Sequence, residues 1–305
     1  MEPRVTRRIV LGTLIGALVA GPFVMRYLRR GNGLLPDFTA ARKAYLAHLS
    51  FPREYNPRLH PNINQDDKDV IVQVHKRYWA NYAKLRKAEF DYSQRQYLPG
   101  GRKSNSFWNM DVRVKMEYGQ GFEAKGKDSI GREIDLACRP DGTYVKAAPE
   151  NAGFSSLMCS FFGAFMAYPE TCSCYTEIKQ GVEMMPNPYI EGNGLYDVLV
   201  MIDAPKDRDP IQTHVKHDYY SRETGMLEFR HVHLPAGNSR GRGTLQGPSQ
   251  IAADSFMFFK YEPVGSNFLP SMTGSATIPA GGRAEDYFCR WESLYANYAN
   301  IELWD

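Results

Sequence analysis

From residue 89 onward the chain alternates. Residues 111–118, Asp-Val-Arg-Val-Lys-Met-Glu-Tyr, put Val112, Val114, Met116 and Tyr118 on one side and charged residues on the other. This period of two marks a half-buried strand. Residues 89–97 show a period near two, and 122–125, 133–137 and 143–146 continue the series, with Pro140-Asp141-Gly142 as a turn. Strands resume at 195–202. Residues 214–221 and 226–234 flank Arg222-Glu223-Thr224-Gly225 as the arms of a hairpin. One more strand covers 255–262, and 290–303 closes the chain. The pattern predicts an antiparallel meander with one wet face.

Before residue 89 the period is helical. Asn64-Gln65-Asp66-Asp67 opens a helix on which Val70, Val74, Tyr78, Tyr82 and Leu85 recur at three- and four-residue steps. Acidic residues at its start, and Lys84, Arg86 and Lys87 at its end, suit the helix dipole. A shorter helix over 40–49 is capped by Asp37, and 51–63, rich in Pro, Asn and Arg, reads as an extended tether. Residues 153–168, GFSSLMCSFFGAFMAY, break the alternation. Two readings stay open there: a helix covering the core, or a lid over an apolar groove carrying Phe161, Phe162 and Phe165. Residues 236–248, rich in Gly, Ser and Arg, read as a flexible loop.

The first 30 residues stand apart. A basic start, MEPRVTRR, precedes the charge-free run 9–25, and Arg26, Arg29 and Arg30 follow it. A basic region before an apolar run is the layout of an export signal. Arg7-Arg8 ahead of a glycine-softened run resembles a twin-arginine signal. Leu18-Val19-Ala20 is a poor cleavage site, so removal of the segment and its retention as a hydrophobic membrane-anchoring helix both stay open. The expected division is 1–30 signal or anchor, 31–63 linker with a short helix, and 64–305 β-rich domain, placed in the periplasm or cell envelope.

Composition narrows the function classes. The chain has 305 residues with a net charge of +3, too little for a nucleic-acid partner. A mean hydropathy of -0.46 excludes a polytopic membrane protein. No P-loop, dinucleotide or zincin motif occurs, and no cofactor and no catalytic residue is assigned. Glu183 and Asp197 are carboxylates that nothing pairs as acid and base. His214, His231 and His233 fall on the two arms of the hairpin. With Ser221 paired to Met226, His214 faces His233 and Lys216 faces His231. Cross-strand imidazoles reach one metal ion in that geometry, but Lys216 between them opposes a cation. There are five cysteines. Cys159 with Cys172 or Cys174 would close a loop of roughly 13–15 residues, worth on the order of 3 kcal/mol. A metal or redox site from Cys159, Cys172 and Cys174 is the alternative.

A leading helix followed by a long antiparallel meander resembles the LolA-like superfamily of periplasmic lipoprotein-sorting factors. The likeness lies in the helix that ends at Leu85-Arg86-Lys87-Ala88 and runs into strand 89–97. It lies also in the 195–202 strand before Asp218-Tyr219-Tyr220-Ser221-Arg222-Glu223-Thr224-Gly225-Met226-Leu227, and in Phe259-Lys260-Tyr261-Glu262-Pro263-Val264-Gly265 leading to Phe268-Leu269-Pro270. The resemblance implies an α+β fold: a strongly curved antiparallel sheet, an incomplete barrel, with helices covering its concave face. It implies a non-enzymatic protein holding a lipid acyl chain or other apolar ligand. Candidate lining residues are Val112, Val114, Met116 and Tyr118, with Phe161, Phe162 and Phe165 above them. The extra residues 31–63 and the Cys-rich 153–175 stretch depart from the family's pattern. A structural subunit docked on a larger envelope complex is the competing reading.

Overall fold

The computed structural model describes residues 57, 59–103, 109–117, 121–138, 144–146, 173–184, 194–203, 215–234, 253–280, 282, 287 and 289–304. Among the described residues helix α1 (Gln65–Asn81) comes first. The Asn64 side chain caps it by accepting from the Asp67 backbone N–H at 2.7 Å, and Asp66 and Asp67 sit in its first turn. Its buried positions are Ile71, His75, Tyr78 and Trp79, one turn-by-turn stripe, with Val70 and Val74 only flanking it. The helix also ends earlier than its sequence pattern predicts. Tyr82 is already extended, so Lys84 lies past the last turn and Leu85, Arg86 and Lys87 begin a strand.

Among the described residues thirteen strands follow: β1 (Leu85–Leu98), β2 (Arg102–Lys103), β3 (Met110–Glu117), β4 (Gly121–Asp128), β5 (Glu133–Cys138), β6 (Tyr144–Lys146), β7 (Ser173–Met184), β8 (Gly194–Asp203), β9 (Val215–Ser221), β10 (Leu227–Leu234), β11 (Ala253–Val264), β12 (Asn267–Pro279) and β13 (Cys289–Leu303). They form one sheet in the order β6-β5-β4-β3-β1-β13-β12-β11-β10-β9-β8-β7, with β2 paired to β1. Every pairing is antiparallel. The first and last strands meet in the middle. The two edges, β6 and β7, are neighbours in sequence but opposite ends of the sheet, so the sheet is open between them. Residues 147–172, which join those edges and include the expected lid, lie outside the described residues.

The expected open antiparallel sheet is therefore observed, with one helix on it among the described residues. The second helix at 40–49 and the hydrophobic segment 9–25 lie outside them. Among the described residues no helix is long and apolar enough to cross a membrane.

The two-residue β2 is too short to show a period, and three longer strands were not evident in the pattern, each for a physical reason. Strand β7 pairs with β8 through register shifts at Tyr175/Glu177 and Lys179/Val182, which interrupt the period of two. Strand β12 contains Pro270, Gly274 and Pro279; the register shift at Lys260/Tyr261 falls opposite Pro270, where a missing N–H is tolerated. Strand β13 carries positive φ at Asn297 and Asn300, alongside repeated register shifts against β1. Before those shifts its pleat is regular: Tyr295 is buried and its neighbour Leu294 is exposed.

The helix is fastened to the sheet at its C-terminal end. Asn81 Nδ2 donates to the Thr224 carbonyl at 2.6 Å and Arg77 Nη2 to the Glu223 carbonyl at 3.1 Å, both in the β9–β10 turn. Gly225 in that turn has φ 74°, and a Cβ there would stand 2.8 Å from the Arg77 side chain. Only glycine meets both conditions.

Candidate functional site

The strand pleat decides which side chains face inward. On β1 the even positions Ala88, Phe90, Tyr92, Gln94 and Gln96 are buried, and their neighbours are partly exposed. Register carries the same face onto β3, where Phe90 lies opposite Val114, Tyr92 opposite Val112 and Ala88 opposite Met116. It continues to Phe122 and Ala124 on β4 and to Leu136 and Ile134 on β5. Val112, Val114 and Met116 are 5%, 0% and 4% exposed and belong to one apolar cluster with these residues. The structure thus brings together three of the expected lining residues. Tyr118, Phe161, Phe162 and Phe165 lie outside the described residues. Gly126 allows the close approach of β3 and β4: a Cβ there would meet the Asp111 carbonyl oxygen at 2.0 Å.

The other half of the same face is aromatic and lies under α1. Tyr78, Trp79 and Tyr82 pack with Tyr175, Leu199, Met201, Tyr220 and Leu227 from β7 to β10. His75 is fully buried between Tyr175 at 4.9 Å and Tyr220 at 5.4 Å. Burial, reinforced by the nearby Arg230 charge, lowers its pKa to about 3, so the ring is neutral. Burial likewise raises the pKa of the Tyr82, Tyr220 and Tyr261 hydroxyls.

Between these halves, and toward one end of the strands, the inward positions turn polar. Gln94 and Gln96 on β1 continue through Ser293 on β13 and Thr273 on β12. The Tyr92 hydroxyl donates to Gln94 Oε1 at 2.7 Å and lies 3.0 Å from Ser293 Oγ, while Thr273 Oγ1 and the Tyr295 hydroxyl are 3.1 Å apart. On β9 and β10 the belt becomes charged. Arg230 grips the Asp218 carboxylate with both Nε and Nη2, at 2.5 and 2.7 Å, in a pair nearly free of solvent. Burial works against the Arg230 charge, but Asp218 more than offsets it and the pKa is raised. Lys216, 5% exposed, lies next along β9 on the same face.

Lys216 and His75 were not assigned a role from sequence. In Lys216-His217-Asp218-Tyr219-Tyr220 neither alternate set is aliphatic, so the pattern does not say which face is buried. The one available signal is Lys216, Asp218 and Tyr220 at successive even positions.

The hairpin register differs from the one expected. Ser221 N–H does donate to the Met226 carbonyl at 2.9 Å, but a register shift between Leu227 and Phe229 moves the rest of β10 by one residue. His231 therefore lies opposite His217, and His233 opposite Val215; Lys216 lies opposite Val232 on the other face. His231 Nε2 and His233 Nδ1 each stand 3.0 Å from the same Asp254 oxygen on the outer surface. His214 lies outside the described residues. Among the described residues no group of three or more His, Cys, Asp or Glu side chains is arranged to hold a metal ion. Cys174 is a free thiol, and Cys159 and Cys172 lie outside the described residues. Asp197 is engaged by Arg222 Nε at 2.7 Å and the Gly181 N–H at 3.2 Å.

No family model matches the chain, and no curated protein matches it. Among solved structures the fold is similar to a LolA superfamily protein from Nitrosomonas europaea, with 8% identity, 76% of this chain and 93% of that chain covered, and a TM-score of 0.36. It is also similar to a DUF1329 family protein from Desulfovibrio piger, with 8% identity, 78% and 93% coverage, and a TM-score of 0.33. The superfamily that the sequence resembles is thus represented among the structural neighbours.

Proposed function

We propose that this chain is a non-enzymatic binding protein of the cell envelope that holds a lipid acyl chain, or another elongated apolar ligand, against the inner face of its open sheet. One observation carries the reading. Val112, Val114, Met116, Ala124, Ile134 and Leu136 make a continuous aliphatic wall on β3, β4 and β5, strands at the open side of the sheet. The packing of α1 lies with the aromatic half instead. Burying each larger aliphatic side chain is worth about 1.5–3 kcal/mol, and these are at most 5% exposed, so a ligand reaches the wall by displacing what covers it. Residues 153–168 supply the cover in this proposal, closing from the chain between the two sheet edges, with Phe161, Phe162 and Phe165 contacting the ligand beside Tyr118.

Export rests on Arg7-Arg8 and the charge-free run 9–25. In this reading that run, where retained, tethers the domain at the membrane through the linker 31–63, and 64–305 is the binding domain. The non-enzymatic reading rests on the lack of a P-loop, dinucleotide or zincin motif and on the engagement of Asp197 by Arg222.

The test is uptake of a fluorescent polyene fatty acid by the purified chain, compared with Met116→Trp. The added indole fills the wall at a cost of about 1–3 kcal/mol in stability, which a folded domain tolerates. Binding to the parent chain and at least tenfold weaker binding to the variant support the proposal. Equal affinity, or no uptake by the parent chain, overturns it.

A further inference from the structure

We infer that two neighbouring turns, 98–103 and 127–133, form a docking surface for an anionic phospholipid bilayer, with Leu98 and Ile130 inserting into its headgroup layer. This surface lies apart from the ligand-binding face proposed above and stands or falls separately from it.

Apolar exposure marks the two turns. Among the described residues the exposed large apolar side chains are Leu98, Ile130, Leu195, Leu294 and Trp304, and Ile130 at 56% is the most exposed of them. Scattered singly, such residues need no explanation. Leu98 and Ile130 are not scattered. Register sets Gln94 of β1 beside Met110 of β3, and Met110 beside Asp128 of β4, so both turns leave the sheet at the same end. They are two strand spacings apart, about 10 Å. Asn109 ties them together: its Oδ1 accepts from the Gln96 N–H, and its carbonyl accepts from the Ser129 N–H at 2.7 Å.

Both turns are held in shape. The first closes through Leu98 paired with Arg102 and Tyr97 paired with Lys103. In the second, the buried Asp128 accepts from the Ile130 N–H at 3.0 Å, the Arg132 N–H at 2.9 Å and Arg132 Nε at 2.6 Å. Gly100 and Gly131 take φ of 77° and 83°, and a Cβ on either would meet nothing within 4 Å. The tips therefore face open space. An apolar group on a turn already ordered loses little further freedom when it inserts.

Charge selects the partner. Arg102 and Lys103 follow Leu98, and Lys127 and Arg132 flank Ile130. Arg102 and Lys103 are exposed and form no ion pair among the described residues, Lys103 acting on Asp111 from a longer range. Lys127 pairs with Glu133 and Arg132 with Asp128. Four cations thus stand against two carboxylates, and the positive balance sits at Arg102 and Lys103. Apolar tips beside unpaired cations match a bilayer whose phosphates meet the cations and whose acyl boundary takes the tips. A neutral bilayer supplies only the second match.

The run 9–25 is itself apolar enough to hold the full chain on vesicles, so the readout is local. Ile130→Trp in the full chain is mixed with vesicles whose acyl chains are brominated and quench an indole that reaches them. Quenching of the four native tryptophans, measured on the parent chain, is subtracted. Leu195→Trp, at an exposed position where β8 starts on the opposite end of the sheet, is the control. The expected result is at least threefold stronger quenching of the indole at 130 in phosphatidylcholine vesicles containing phosphatidylglycerol than in phosphatidylcholine alone. The indole at 195 is quenched in neither. Adding Arg102→Glu and Lys103→Glu to Ile130→Trp removes the excess. No quenching at position 130, equal quenching in the two vesicles, equal quenching at 130 and 195, or an excess that survives the two glutamates each overturns the inference. None of these outcomes bears on fatty-acid uptake by the inner face.

Discussion

Burying His75 between Tyr175 and Tyr220 beside Arg230 lowers its pKa from 6.5 to about 3. The unfolded chain therefore takes up a proton at this position between those values that the folded chain refuses. Stability falls as pH falls through that window and is recovered above about 6.5, by on the order of 5 kcal/mol. His75→Phe should flatten this acid limb, measured as the difference in urea unfolding between pH 7 and pH 4. Lys216 works at the other end of the scale. Its pKa is lowered from 10.5 to about 8, so the unfolded chain binds more protons there between those values and stability rises with pH across the window. Lys216→Met should abolish that rise, read from unfolding midpoints at pH 7.5 and 10. Asp218→Asn leaves Arg230 buried without its counter-charge and should cost about 3–5 kcal/mol; a loss under 1 kcal/mol would show the pair to be solvated.

At the scale of elements, legibility followed regularity. Strand β3 could be read directly because Val112, Val114 and Met116 alternate with Asp111, Arg113 and Lys115 without interruption, and all three were placed correctly inward. The start of α1 was legible from Asn64 and the acids behind it. Its end was not, because Tyr82 and Leu85 keep a helical spacing while the backbone has already turned extended. Strand β7 was missed where register shifts break the period, and the histidine hairpin was read one residue out because the shift after Leu227 leaves no mark in the sequence. Two substitutions test the close approaches that shape the sheet. Gly126→Ala drives a methyl group against the Asp111 and Val112 backbone, and Gly274→Ala drives one into the Phe258 ring, each at 2.0 Å. Both should lower the melting temperature markedly, Gly126→Ala more, since backbone yields less than an aromatic ring. Asn64→Ala should cost about 1 kcal/mol through loss of the cap alone.

At the scale of the molecule, what matters is how the strand order lays out chemistry. Because β1 and β13 meet in the middle and β6 and β7 lie at the two edges, the aliphatic wall and the aromatic half stand on either side of a polar centre. The sequence pattern disclosed the wall. It could not disclose the polar belt, since Gln94, Thr273, Arg230 and Lys216 are far apart in the chain and only register brings them onto one face. On the proposed reading this face holds a lipid acyl chain or another elongated apolar ligand. That reading is tested most directly by native mass spectrometry of the full chain purified from its own envelope without exchange of bound lipid. The prediction is a mass excess matching one lipid per chain, lost on denaturation, with solvent extraction of the same sample yielding an acyl species. A chain at its bare polypeptide mass, with no lipid in the extract, would contradict it.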